Sequence, residues 1–262
     1  MDPNILVVGP LVLAWHGLLI GLGVLAGVLV AAQIGKRLRY QLSDDAISAI
    51  ALWAVPGGIV GGRLAHVVDR WDFYASNPAS VLAITEGGMA IWGSVLGGSL
   101  AAWLYVKRQG LPVGQAADLG AFGLLVGQII GRVGCLINGD AYGAPTEVPW
   151  AVVYTHPGAF APLGVPTHPW PVYEILWSGL TLALLWRLMG RVRPEGMLFL
   201  LYLAAYAVGR FFLTFLRQER ILFLGLQEAH LISLLVLAVV VPALVYLSLT
   251  SATTRRMAPS RH

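Results

Sequence analysis

GRVGCLINGDAYG, residues Gly131 to Gly143, closes an apolar run that extends from Leu119 to Ile137. An arginine, Arg132, and an acid, Asp140, therefore stand at one end of a hydrophobic segment. An arginine at the end of a membrane helix is costly unless an anion or water needs it there. Gly131 and Gly134 leave room for a neighbouring backbone or a ligand to approach closely. Asn138, Gly139 and Asp140 read as the turn that ends the helix.

The composition around this stretch is that of an integral membrane protein. Of 262 residues, 57% are hydrophobic and 11% charged, with a mean hydropathy of +0.74. A soluble domain carries about 25% charged residues. The 31 glycines suit closely packed membrane helices. Cys135 is the single cysteine, which excludes an internal disulfide and a cysteine-based metal cluster. The first apolar segment lacks a basic leader and is long enough to span, so no cleavable signal peptide is expected. No spacing resembles a zinc site or a Ser-His-Asp constellation. Neither a cofactor nor a nucleic-acid partner is expected.

Working outward, apolar runs of roughly 20 residues, the length a bilayer core demands, cover Pro10 to Ile34, Ala46 to Val68, Gly88 to Val106, Gln115 to Ile137, Pro171 to Met189, Gly196 to Leu216 and Ala229 to Leu249. The expected fold is all-α, with seven transmembrane helices in a single transmembrane domain over residues 1–262. The longest connection, Asn138 to Trp170, is rich in Pro and Gly and is expected to fold over the membrane surface. Lys36, Arg37 and Arg39 follow the first run; Lys107 and Arg108 the third; Arg187, Arg191 and Arg193 the fifth; Arg255, Arg256 and Arg261 the seventh. In a seven-span chain all of these lie on one side. The positive-inside rule makes that side cytoplasmic, with the N-terminus outside and the C-terminus inside.

The remaining arginines are Arg63, Arg70, Arg132, Arg210, Arg217 and Arg220. All fall in the outer half of the membrane or just beyond it. Arg63, Arg132 and Arg210 come from three different helices and aim at one leaflet level. Arginine suits phosphate because its planar fork makes paired, charge-assisted hydrogen bonds. Each could instead pair with an acid such as Asp69, Glu86 or Asp140 and only hold helices together. Three at one depth favour an anionic headgroup from the outer leaflet.

Other residues admit two readings. The glycines of EGGMAIWGSVLGG, Glu86 to Gly98, and Gly57, Gly58, Gly61 and Gly62 either pack helices or line a lipid groove. Tyr206 and Arg210 share a helix face, where they either grip a phosphate or make a local cation–π contact. Glu174 in HPWPVYE, His168 to Glu174, needs water or a partner such as one of the arginines. Cys135 reads as a small apolar residue more readily than as a nucleophile. His16 and His66 read as buried imidazoles, although His66 stands three residues from Arg63.

These blocks resemble the prolipoprotein diacylglyceryl transferase family nearly end to end. GRVGCLINGDAYG is similar to its signature, G-R-x-G-N-F-x-N-x-E-x-x-G. GGRLAHVV, EGGMAIWGSVLGG, HPWPVYE and YAVGRFFLTFLRQER match its other blocks in order, and WHGLLIGLG resembles its W-Y-G-L opening. The resemblance implies a multi-pass protein of the inner (plasma) membrane. It implies transfer of the diacylglyceryl group of phosphatidylglycerol to the lipobox cysteine thiol of a prolipoprotein, leaving glycerol phosphate. By match, Arg132 would hold the lipid phosphate, as Arg63 could. Arg210 with Tyr206 would stabilise charge on the departing phosphate, and Asn138, Asp140 and Gly143 would shape the headgroup site. The alternatives are a non-catalytic relative that binds anionic lipid or a lipoprotein partner, and a small anion transporter.

The sequence departs from the pattern at three positions. The family's third block reads G-G-M-S-F-H-G-G, and its histidine is the candidate for handling the thiol proton; here that position is Trp92. The signature's asparagine is Cys135 and its acid is Asp140. An indole cannot act as a base, so the reaction is expected to lack its usual histidine: either the few per cent of thiolate present at neutral pH reacts without a base, aided by nearby arginines, or His66 or His16 takes the proton instead.

Overall fold

The computed structural model describes residues 2–8, 11–83, 87–217, 221–223 and 225–257. Pro10, Glu86, Arg220 and Arg261 lie outside the described residues. Among the described residues there are eight α-helices: α1 (Trp15–Leu38), α2 (Asp44–Asp69), α3 (Trp71–Ser76), α4 (Ile91–Arg108), α5 (Val113–Asn138), α6 (Trp170–Leu188), α7 (Met197–Thr214) and α8 (Glu228–Met257). Three antiparallel strand pairs accompany them: β1 (Asn4–Val8) with β2 (Leu11–Ala14), β3 (Val152–Val153) with β4 (Pro166–Thr167), and β5 (Ile221–Phe223) with β6 (Leu226–Gln227).

Two expectations change. The first apolar run does not begin as a helix: Leu11–Ala14 is a strand and α1 starts at Trp15. Apolar length alone does not separate a strand from a buried helix. The span count also differs. By length and composition, α1, α2, α5, α7 and Glu228–Thr250 of α8 can cross a membrane, which makes five rather than seven. The Gly and Ser residues of α4 and the Pro, Glu174 and Arg187 of α6 dilute their apolar content.

The chain divides into two compact units, one formed by Arg39–Ala116 and one by Met1–Leu38 with Ala117–His262. In the first, Ser43 caps α2 by accepting a hydrogen bond from Ala46 N at 3.1 Å, and Asp44 and Asp45 favour the positive end of the helix dipole. The glycines of α2 and α4 form one seam. A Cβ at Gly57 would collide with Ala101 of α4, and one at Gly61 with the Gly93 carbonyl. Of the two readings for these glycines, the geometry takes helix packing.

In the second unit, α1 meets α5 through another glycine seam, where a Cβ at Gly27 would come within 2.6 Å of the Gly123 carbonyl oxygen. Asp118 of α5 is buried and accepts hydrogen bonds from Gly196 N at 2.9 Å and Phe199 N at 3.0 Å. An acid on the first backbone N–H groups of α7 satisfies donors that a helix leaves unpaired. Gln128 of α5 donates to the Tyr202 hydroxyl at 2.8 Å, and Trp177 of α6 donates to Ala205 O at 2.8 Å. These bonds fix α7 against α5 and α6, and so fix where Arg210 stands relative to Arg132. The connection after α5 folds back on the helix ends. Gly143 N donates to His168 O at 3.0 Å, and Ala144 N to Leu216 O at 2.7 Å.

Candidate active site

Arg132 comes from the last two turns of α5, Glu174 from the second turn of α6 and Arg210 from the last turn and a half of α7. Glu174 is buried and joins them: one carboxylate oxygen pairs with Arg132 Nε, and the other accepts from Arg210 Nη1 at 3.2 Å. The acid that holds the arginines is therefore Glu174, not Asp69 or Asp140. Burying like charges together is tolerated only where opposite charge offsets them. A single carboxylate facing more than one guanidinium leaves positive charge over.

Trp170, fully buried, completes the corner. The guanidinium carbons of Arg132, Arg210 and Arg217 lie 5.1, 4.7 and 4.6 Å from its ring centroid. The indole N–H donates to Leu213 O at 3.0 Å, which locks the ring. Cation–π attraction strengthens when the partners are desolvated. The ring under Arg210 is thus Trp170; Tyr206, one turn earlier in α7, instead tilts against Tyr202 with centroids 6.2 Å apart. Trp170 belongs to the quoted block HPWPVYE, but a tryptophan beside prolines at a helix start reads as an interface anchor. Only the tertiary fold reveals what rests on it.

At the end of α5, Arg132 Nη1 donates to Cys135 Sγ at 3.6 Å. His16, in the first turn of α1, approaches from the other side. Its Nδ1 lies 3.9 Å from Cys135 Sγ and 3.5 Å from Asp140 Oδ2. The close approach depends on Gly134, where a Cβ would sit 3.1 Å from His16 Cα; at Gly131 a Cβ would meet nothing within 4 Å. Asn138 donates to Asp140 Oδ2 at 3.0 Å. Tyr154 donates to Leu136 O at 3.0 Å, and burial first, then Asp140 and Cys135, pushes its hydroxyl up to about 12. Gly143 is pinned, since a Cβ would lie 2.6 Å from that of His168 and 2.9 Å from Leu216 O.

The expectation that Trp92 leaves this chemistry without a histidine is corrected by this arrangement. The imidazole beside Cys135 and Asp140 is His16, brought by α1, so a histidine–thiol–carboxylate cluster is intact whatever stands at position 92. Trp92 is exposed on the first turn of α4.

Arg63 and His66 belong to the Arg39–Ala116 unit. Arg63 is buried, and its guanidinium is spent on backbone carbonyls: Nε on Val81 at 2.9 Å, Nη1 on Gly87 at 2.6 Å and Gly88 at 3.0 Å, Nη2 on Ser80 at 2.5 Å and Ala83 at 3.2 Å. An arginine has five N–H donors, and five carbonyls receive them. Its guanidinium carbon lies 5.2 Å from the Tyr74 ring centroid, and His66 meets the same ring edge-on with centroids 5.9 Å apart.

Comparison with known proteins bears on the family of the chain as a whole. The model of a family described as prolipoprotein diacylglyceryl transferase matches residues 3–246. The chain is 36% identical over 248 residues to a phosphatidylglycerol–prolipoprotein diacylglyceryl transferase of Dehalococcoides mccartyi, covering 94% of each chain. It is 39% identical over 240 residues to the protein of that name in Gloeobacter violaceus, covering 88% of this chain and 87% of that one. The corresponding protein of Clostridioides difficile is 33% identical over 234 residues, with 89% and 90% covered. The chain belongs to the prolipoprotein diacylglyceryl transferase family.

Proposed function

We propose that this chain transfers the diacylglyceryl group of phosphatidylglycerol to the lipobox cysteine thiol of a prolipoprotein, the first step of bacterial lipoprotein maturation. It works as a multi-pass protein of the inner (plasma) membrane. The observation that carries the reading is Glu174 shared between Arg132 and Arg210 above Trp170. With Arg217 on the same ring, three guanidiniums face this one acid, and the positive charge left over makes a preorganised place for the anionic phosphodiester headgroup.

The positions of these residues support the following roles. Arg132 holds the lipid phosphate. Arg210, with Tyr206 one turn away, stabilises the charge that grows on the departing phosphate oxygen. Asn138, Asp140 and Gly143 shape the headgroup site, and the corner of His16, Cys135 and Asp140 receives the incoming thiol. Arg63, with all its donors on carbonyls between Ser80 and Gly88, holds that loop rather than a phosphate. His66 stands with it. In the membrane we take α4 and α6 as spans too. The chain then crosses seven times as one transmembrane domain, with the N-terminus outside and the basic clusters at and beyond the C-terminal ends of α1, α4, α6 and α8 in the cytoplasm.

The test uses purified protein in detergent, phosphatidylglycerol and a lipobox peptide with one cysteine, read by mass spectrometry. A diacylglyceryl adduct with the wild type and none with Arg132→Ala is the expected result. Absence of adduct from wild-type protein that still binds the lipid would overturn the reading.

A further inference from the structure

A thiol is a weak nucleophile until it loses its proton, which an ordinary cysteine holds up to about pH 8.5. Next to Arg132 the structure sets an imidazole against a carboxylate. His16 Nδ1 stands 3.5 Å from Asp140 Oδ2. The same oxygen accepts from the Asn138 amide at 3.0 Å, so the acid is oriented independently of the ring. An ionised carboxylate only accepts, and the imidazole facing it therefore carries its proton on Nδ1. The neighbouring sulfur agrees. Cys135 Sγ takes a hydrogen bond from Arg132 Nη1 at 3.6 Å and lies 3.9 Å from His16 Nδ1, an acceptor between two donors. The basic lone pair of the ring is then on Nε2. A Cβ at Gly134 would lie 3.5 Å from Nδ1, so that edge of the ring is turned to α5.

We infer that His16 is the catalytic base of the transfer, taking the proton of the lipobox cysteine on Nε2, and that Asp140 and Asn138 are positioning residues that hold its tautomer. The inference deepens the transferase reading and rests on it. With Nδ1 against α5, the 32% of the side chain left exposed lies on the edge that carries Nε2, where a substrate thiol can reach it. Arg132 and His16 touch the same sulfur from two sides. A phosphate held by the guanidinium and a thiol held by the imidazole are thus neighbours, with the glyceryl carbon between them. The charges that face the ring are those of Arg132 and Asp140. Arg132 opposes an imidazolium, but its charge is shared with Glu174, and Asp140 favours one. A carboxylate behind the imidazole fixes the tautomer and stabilises the cation that forms, the arrangement that serves nucleophilic hydroxyls and thiols on unrelated folds.

The step balances without a co-reactant. The thiol proton moves to Nε2 as the sulfur attacks the glyceryl carbon that carries the phosphate. A carbon–sulfur bond forms, the carbon–oxygen bond breaks, and the electron pair leaves on the phosphate oxygen toward Arg132 and Arg210. The imidazolium gives its proton to water as glycerol phosphate departs, which restores the base.

The test compares two lipobox peptides, one with cysteine and one with selenocysteine in its place, in single-turnover transfer from phosphatidylglycerol by the purified protein in detergent at neutral pH. A selenol is already ionised there and needs no base. His16→Gln is expected to slow transfer to the cysteine peptide by about 100-fold or more and to the selenocysteine peptide by less than about threefold. Asp140→Asn, which keeps the ring but loses its charged partner, is expected to show the same selectivity with a smaller loss on cysteine, about tenfold or more. Activity on the selenocysteine peptide also shows that each variant is folded. Equal losses on the two peptides in both variants, or no loss on cysteine in His16→Gln, would overturn the base and leave the transferase standing. No adduct from the wild type with either peptide would overturn the transferase reading, and the assignment of His16 with it.

Discussion

The Glu174 carboxylate accepts a hydrogen bond from Arg210 at 3.2 Å, while its other oxygen is held by Arg132 on a different helix. The acid thus keeps two cations at one place before any lipid arrives. Glu174→Gln leaves two guanidiniums facing each other with no charge between them. Removing one partner of a buried ion pair costs about 3–5 kcal/mol. The variant is therefore expected to melt well below the wild type in detergent. Phosphatidylglycerol replaces the missing negative charge, so it should raise the melting temperature of Glu174→Gln more than that of the wild type. Equal shifts in both proteins would mean that the phosphate binds elsewhere.

Arg210 and Arg132 both lie over the Trp170 ring, and each meets Glu174 through one nitrogen, so the rest of its planar donor set can serve a phosphate. Lysine at either position keeps the charge but loses the paired hydrogen bonds and the stacking. Arg210→Lys is expected to lower kcat by about 100–1,000-fold, the usual effect of removing a donor to a developing oxyanion, with KM for the lipid little changed. Arg132→Lys, which touches the phosphate in the ground state too, is expected to raise KM as well. Steady-state transfer assays over a range of phosphatidylglycerol concentrations separate the two.

The glycine seams give a steric prediction with an internal control. A Cβ at Gly27 would press to within 2.6 Å of the Gly123 carbonyl. Overpacking of this kind typically costs about 1–3 kcal/mol, and here it would push α1, with His16, away from α5. Gly27→Ala is expected to lower both thermal stability and transfer. Gly131→Ala, where nothing lies within 4 Å of the new methyl group, is expected to leave stability unchanged or slightly raised, as alanine favours helix over glycine. Thermal unfolding of both variants checks the contrast.

What was legible in the chain and what was not follows from the range of the signals. The long helices show in apolar length, and Arg132 and Arg210 show because a guanidinium in such a run demands a reason. Glu174 was legible as an acid needing a partner. The cluster of His16 with Cys135 was not, because it joins residues 119 apart in sequence and exists only once α1 packs on Gly134. The three short strand pairs and α3, of six residues, carry too few residues for periodicity to register. Arg63 and Arg132 look alike in sequence. One is surrounded by backbone carbonyls and the other by a carboxylate and an indole, and only their neighbours tell them apart.

Tyr154 ties the connection after α5 to the helix end through its bond to Leu136 O. Burial, reinforced by Asp140 and Cys135, holds its hydroxyl protonated up to about 12. An unfolded tyrosine ionises near about 10. Below pH 10 the hydroxyl is neutral in both states, and the bond contributes fully. Above it the unfolded chain loses its proton first, so stability falls as pH rises from 10 toward 12, by roughly 2–3 kcal/mol in all. Tyr154→Phe has no proton to lose there. The variant is expected to be about 1 kcal/mol less stable than the wild type at pH 7 and to show a flatter decline between pH 10 and 12. Parallel declines in the two proteins, followed by thermal unfolding in detergent across that range, would place the alkaline loss of stability on another group.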